Sequence, residues 1–142
     1  MPQRRGDAER GDAEERTNRL SHRVIGAAIA VHKEMGPGLL ESTYEECMCV
    51  ELRQRGVPFQ SQVEIRLRYK GILLPSRLRL DLVVDRTIIV ELKAVEAICH
   101  VHVAQLLTYL RATGLTLGLL INFNTETLVK GVRRVVLGFC GS

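Results

Sequence analysis

Asp81, Glu91 and Lys93 interrupt runs of Leu, Val and Ile in the stretch RLRLDLVVDRTIIVELK, Arg77 to Lys93. The runs read as two buried strands, where charged groups rarely sit unless they are paired or hold a metal. In the strand Thr87 to Lys93, Ile88, Val90 and Leu92 share one face. The period of two puts Glu91 and Lys93 together on the other, with Leu92 pointing away. An acid and an amine so placed at the end of a central strand form a compact chemical unit.

The run Leu78 to Val84 reads as the antiparallel partner, and its register decides whether Asp81 joins that unit. A two-residue turn at Asp85-Arg86 sets Asp81 opposite Val90 and turns Glu91 to the other face. A three-residue connection, Asp85 to Thr87, pairs Val84 with Ile88 and sets Asp81 opposite Glu91, with Cβ atoms roughly 4.5–5.5 Å apart. Such loops usually need a left-handed residue and no Gly is present, so a bulge is an equal alternative. The expectation is an odd connection or a bulge. Two carboxylates that close repel by about 1–4 kcal/mol at effective dielectrics of 80 to 20. A divalent cation turns that repulsion into binding.

Other elements must carry the remaining groups. Helical periodicity from Leu20 through Val24, Ala27, Ala28 and Val31 predicts a first helix, broken at Gly36-Pro37-Gly38. A second helix is expected from about Leu39 to Arg55, with Glu41, Tyr44 and Glu45 on one face of its first turns. Acids there also suit the positive end of the helix dipole with no catalytic role. Val63 to Tyr69 alternates as a half-buried strand, Lys70-Gly71 turns the chain, and Pro75 confines the next segment to an edge or an irregular approach. A helix from about Val101 to Thr113 puts Gln105 and Tyr109 on one face, and His100 and His102 flank it. Leu115 to Phe123 is an interior strand. Lys130, Arg133 and Arg134 follow, with Val132, Val135 and Val136 packing beneath.

Asp81, nine residues, then Glu-x-Lys resembles the PD-(D/E)XK nuclease superfamily. The segment HKEMGPGLLESTYEE is similar to the signature of the GxxExxY proteins, with Gly38, Glu41 and Tyr44 at the named positions. The later blocks IVELKA, AQLLTYL and GLLINF extend that resemblance from Asn18 to Leu137. QLLTY, Gln105 to Tyr109, resembles the Q-x-x-x-Y pattern of the RecB-like branch. The segment Ile72 to Arg77 departs from the family, in which a Gly and an aromatic commonly precede the Arg-x-Asp step. The resemblance implies that Asp81 and Glu91, with the Leu92 carbonyl, bind Mg²⁺ or Mn²⁺, and that Glu41 is an additional acid from the first-turn region of its helix. It implies that Lys93 works on the attacking water, that Gln105 sets metal or water, and that Tyr109 borders the site. Tyr44, Tyr109, Lys130, Arg133 and Arg134 are the candidate nucleic-acid contacts.

The order helix, strand, strand, strand, helix, strand predicts an α/β sandwich, restriction-endonuclease-like, with a central mixed four-stranded sheet flanked by helices. Residues 1–16 repeat GDAER and GDAEER and are expected to be a flexible charged extension or frayed helix before one nuclease-like domain, 17–142. The extension holds four Arg and five acids, which leaves 16 basic and 11 acidic residues, a net +5, on 17–142. That permits nucleic-acid binding. Aromatic residues are only 4% and Trp is absent, so contacts to backbone phosphates are expected ahead of base stacking. Cys47, Cys49, Cys99 and Cys140 fit no zinc spacing. No apolar run approaches a membrane span and the N-terminus is charged, so a cytoplasmic protein is expected. Two functions are open: a Mg²⁺-dependent nuclease acting on DNA ahead of RNA, or a non-catalytic nuclease-fold module that binds nucleic acid or a protein partner.

Overall fold

The computed structural model describes residues 5–138, with side chains from Glu9 onward, so Cys140 lies outside the described residues. A five-stranded mixed sheet has the order β1-β2-β3-β4-β5, formed by Phe59–Tyr69, Ile72–Val84, Ile88–Lys93, Leu117–Asn122 and Val132–Val136. Helices α1, Arg5–Met35, and α2, Glu41–Gln54, cover one face, and α3, His100–Thr113, covers the other. This is a restriction-endonuclease-like α/β sandwich. β3 and β4 run parallel, as their crossover through α3 requires, and the other neighbours are antiparallel. Among the described residues no helix is long and apolar enough to cross a membrane.

The fifth strand corrects the expected four. In VRRVV two adjacent Arg hide the alternation, yet β4 is buried along its whole length and needs a partner on its outer edge. β5 supplies it, pairing Ile121 with Val132 through Leu117 with Val136. At the other end of the chain α1 begins well before Leu20, and residues 9–16 are exposed along it. Their Ala, Glu and Arg content favours a helix even without a core to pack on.

Apolar side chains of the central strands divide between the layers. Val84, Ile88, Val90, Leu92, Leu119 and Ile121 face α1 and α2, while Val83, Ile89 and Leu120 face α3 with Leu106, Tyr109 and Leu110. Each fully buried Leu, Ile or Val contributes about 1.5–3 kcal/mol. These strands therefore form a rigid platform for whatever lies at their ends.

β1 and β2 form a long hairpin through a two-residue turn, Lys70-Gly71, both at positive φ. The expected irregularity at Pro75 is present as a register shift between Arg66, opposite Arg77, and Arg68, opposite Leu73. A second irregularity has no Gly or Pro to mark it. Leu80 and Leu82 are two apart but enter opposite core layers, and Gln62 in β1 sits at φ 53 between the pairs Ser61–Leu82 and Val63–Leu80. Both strands switch faces there, at Asp81.

Candidate active site

The β2–β3 connection is the three-residue one, with Val84 opposite Ile88 and Leu82 opposite Val90. Asp85 and Arg86 take φ of 49° and 52°, and the Thr87 N–H closes the turn on the Val84 carbonyl at 2.9 Å. Two non-glycine residues thus adopt the left-handed conformations that the register demands. Asp tolerates that region better than Arg. Carried one step past Leu82–Val90, the register sets Asp81 opposite Glu91.

The backbone ladder ends at Leu82–Val90, and the two carboxylates continue it. The Asp81 N–H donates to Glu91 Oε1 at 3.1 Å, and the Leu92 N–H donates to Asp81 Oδ2 at 2.8 Å. N–H and C=O of a strand residue point to the same edge, so Leu92 turns its carbonyl toward β2 as well. Glu91 is 6% exposed. Burial, then the neighbouring Asp81, push its pKa up to about 8. Burial also raises Asp81, against hydrogen bonding from Leu92 and the charge of Lys93. At neutral pH the pair holds a proton, and Lys93, half-buried beside it, offsets the remaining charge.

α2 approaches from the other layer. Its path is fixed by Tyr44, whose hydroxyl donates to the Gly36 carbonyl at 2.5 Å and accepts the Leu39 N–H at 3.2 Å. The ring stacks on Phe123, centroids 4.3 Å apart. Gly38, at φ 100, supplies a backbone bend closed to most residues. Glu41 is the first residue of α2, and its Oε1 accepts the Ala94 N–H at 3.3 Å, immediately after Lys93. One turn on, Glu45 accepts from Gln62 Nε2 at 2.6 Å, and its pKa is raised by burial and then by Asp81. Glu45 and Gln62 were not among the residues expected here. The four-residue step from Glu41 was the available signal for Glu45, while nothing in the strand pattern marked Gln62.

Other expected contacts need correction. Tyr44 is 0% exposed and cannot touch a nucleic acid. Successive helix residues are 100° apart, so Tyr44 turns into the core with Met48 while Glu41 and Glu45 remain at the rim. Tyr109 is 5% exposed and packs in the α3 core layer, not on an open surface; burial, then the charges of Glu91 and Asp81, raise its pKa. Gln105 is exposed one turn earlier on α3. Arg134 is turned to α1, donating to Asn18 Oδ1 at 2.5 Å and Ser21 Oγ at 3.4 Å. Lys130 and Arg133 line a hollow of about 270 Å³ with Glu96, Ala97 and Asn122. Asn122 is opposite Lys93 in the ladder and clamps the following loop through the Val95 N–H (3.1 Å) and carbonyl (2.8 Å).

Two carboxylates and a backbone carbonyl are hard oxygen donors of the kind that suits Mg²⁺ or Mn²⁺. An incoming cation would displace the proton that the raised Glu91 carboxyl holds and would offset the repulsion between the two acids. Among the described residues no three His, Cys, Asp or Glu side chains converge at metal-holding spacing. The fit therefore rests on Asp81, Glu91 and the Leu92 carbonyl, with Glu41 engaged on the backbone nearby.

An acid pair and a lysine at the ends of paired strands, inside a restriction-endonuclease-like sandwich, are the arrangement of a nuclease-class fold. Residues 18–135 match the family model of the PD-(D/E)XK nuclease superfamily, and the chain belongs to that superfamily. Nucleases of this superfamily act on nucleic acid and generally use a divalent metal. No curated protein and no solved structure matches the chain significantly.

Proposed function

We propose that this chain is a divalent-metal-dependent nuclease that hydrolyses phosphodiester bonds of DNA, RNA being the alternative substrate. Within the superfamily we assign it to the GxxExxY proteins and, by Gln105 and Tyr109, to the RecB-like branch. The observation that carries the reading is the pair of hydrogen bonds across β2 and β3, the Asp81 N–H to the Glu91 carboxyl and the Leu92 N–H to the Asp81 carboxyl, with Glu91 pushed up to about 8. Such an acid pair has a use for a cation that a purely structural strand end lacks.

Asp81, Glu91 and the Leu92 carbonyl are the residues that would hold Mg²⁺ or Mn²⁺, with Glu41 as the additional acid. The bound cation would supply Lewis-acid polarisation of the scissile phosphate and lower the pKa of a bound water. As an ammonium Lys93 orients the attacking water; to take the water proton as the oxygen bonds to phosphorus it must first give up its own proton to solvent. The P–O bond to the leaving group breaks, and the leaving oxygen takes up a proton. Gln105, exposed on α3, is assigned by the Q-x-x-x-Y resemblance to set metal or water. Lys130 and Arg133 hold the flanking phosphates. A cytoplasmic location is part of this proposal.

A second reading, a binding module without catalysis, draws support from the same two hydrogen bonds, since both carboxylates already satisfy backbone N–H groups. Cleavage of a mixed panel of DNA and RNA with Mg²⁺ or Mn²⁺ separates the two. The nuclease reading expects cleavage that falls at least about 100-fold in Lys93→Met, the low end for proton-transfer assistance. No cleavage by the wild type favours the module, and cleavage undiminished in Lys93→Met means a contaminant or a different site and ends the assignment.

A further inference from the structure

The charge of the folded body is unevenly placed. Residues 65–80, the outer part of the β1–β2 hairpin, hold Arg66, Arg68, Lys70, Arg77 and Arg79 and no acid. The rest of residues 17–142 balances, 11 basic against 11 acidic, so the whole net +5 of the body sits on this arm. Glu64, just inside it, pairs with Arg77 at 2.9 Å and Arg79 at 3.5 Å. Arg66 and Arg68 instead donate to the backbone carbonyls of Leu74 (2.7 Å) and Gly71 (3.3 Å), which braces them and leaves their charge unneutralised.

The arm lies against α3. Arg66, Leu67 and Arg68 line a groove of about 430 Å³ with Thr108, Arg111 and Ala112, and no acidic side chain is among them. Arg79, on the same hairpin, is two residues before Asp81, so β2 runs from the arm directly into the acid pair. At the tip, Tyr69 and Ile72 are 62% and 68% exposed, an apolar pair on an otherwise charged ribbon. Three guanidiniums in one groove suit phosphate oxygens, which they bind bidentately.

We propose that the β1–β2 arm and α3 form the groove that grips the sugar–phosphate backbone of a polynucleotide, with Arg66, Arg68 and Arg111 on consecutive phosphates and Tyr69 and Ile72 against sugar or base. The proposal rests on the nuclease reading for its choice of ligand, and it is tested without cleavage.

Fluorescence anisotropy with a labelled duplex of about 25 base pairs, and with its single strand, is measured in EDTA across a salt series. Neutralising the groove (R66Q/R68Q/R111Q) weakens binding at least about tenfold, and the slope of log affinity against log salt shrinks by about 2–3, three contacts at roughly 0.9 each. The charge-preserving R66K/R68K/R111K keeps most of the slope, which separates charge from arm folding; melting curves check the fold of both. R19Q/K33Q on α1 leaves the slope unchanged. The duplex and single-strand arms identify which polynucleotide form the groove takes. Wild-type affinity and slope in the glutamine variant, or a wild type that binds neither ligand, overturns the proposal. Cleavage by a glutamine variant that binds like wild type would overturn the groove and leave the nuclease standing. Groove-dependent binding without cleavage would do the reverse.

Discussion

The backbone N–H of Asp81 donates to Glu91 Oε1 at 3.1 Å, while Asp81 Oδ2 accepts the N–H of Leu92 at 2.8 Å. Side chains thereby replace the β2–β3 ladder at the point where β2 changes faces. The same two hydrogen bonds position both carboxylates and hold the strand ends together, so stability and site chemistry are coupled at these residues.

That coupling sets a pH dependence for the metal-free protein. Glu91 rises from 4.5 to about 8 on folding, so the folded state binds more protons than the unfolded chain between those values. Its contribution to stability is full below about pH 4.5, is lost as pH rises toward 8, and is flat above. Glu91→Gln keeps an Oε1 for the Asp81 N–H and removes the titration. In EDTA the mutant is expected to melt higher than wild type at pH 8, by at least about 1.4 kcal/mol, the equivalent of one unit. The difference should shrink toward pH 4.5. Added Mg²⁺ raises the melting temperature of wild type only. Parallel wild-type and mutant pH curves would refute the coupling.

Tyr44 acts on the site through the backbone. Tyr44→Phe keeps the stack on Phe123 but loses both hydroxyl hydrogen bonds to the Gly36–Leu39 segment. A loss of about 1–2 kcal/mol in urea unfolding is expected. Cleavage should fall with nucleic-acid affinity unchanged, because the tyrosine is buried. Weakened binding at full cleavage rate would point to a contact with the ligand after all.

The two-layer division was legible because Leu, Val and Ile fix which side of each strand is buried, and the β2–β3 register only as far as an odd connection or a bulge. The choice of connection was narrowed but not made: a left-handed pair at Asp85-Arg86 carries no glycine to announce it. The face switch at Gln62 and Asp81 left no mark, since it keeps the β1–β2 register and alters only the side chains' direction. Helical spacing put Glu41, Tyr44 and Glu45 together but did not say which of them turns inward. β5 escaped because Arg133 and Arg134 break the alternation that identifies an edge strand.

Gly131 fixes the wall beside Lys93. A Cβ there would come within 2.1 Å of the Asn122 carbonyl oxygen, a backbone atom that cannot move aside without displacing β4. Gly131→Ala is expected to cost at least about 1–3 kcal/mol, the range for overpacking. Thermal unfolding with unchanged stability would mean that the Leu128–Gly131 turn relaxes freely.

The central claim is that Asp81 and Glu91 together hold a divalent cation. Calorimetric titration of wild type and Asp81→Ala with Mn²⁺, and again with Mg²⁺, measures it without a substrate, on proteins whose melting curves show both are folded. The expected result is saturable binding at one site in wild type, and at least about tenfold weaker or undetectable binding in Asp81→Ala. Equal binding by the two proteins, or no binding by wild type, would contradict the claim.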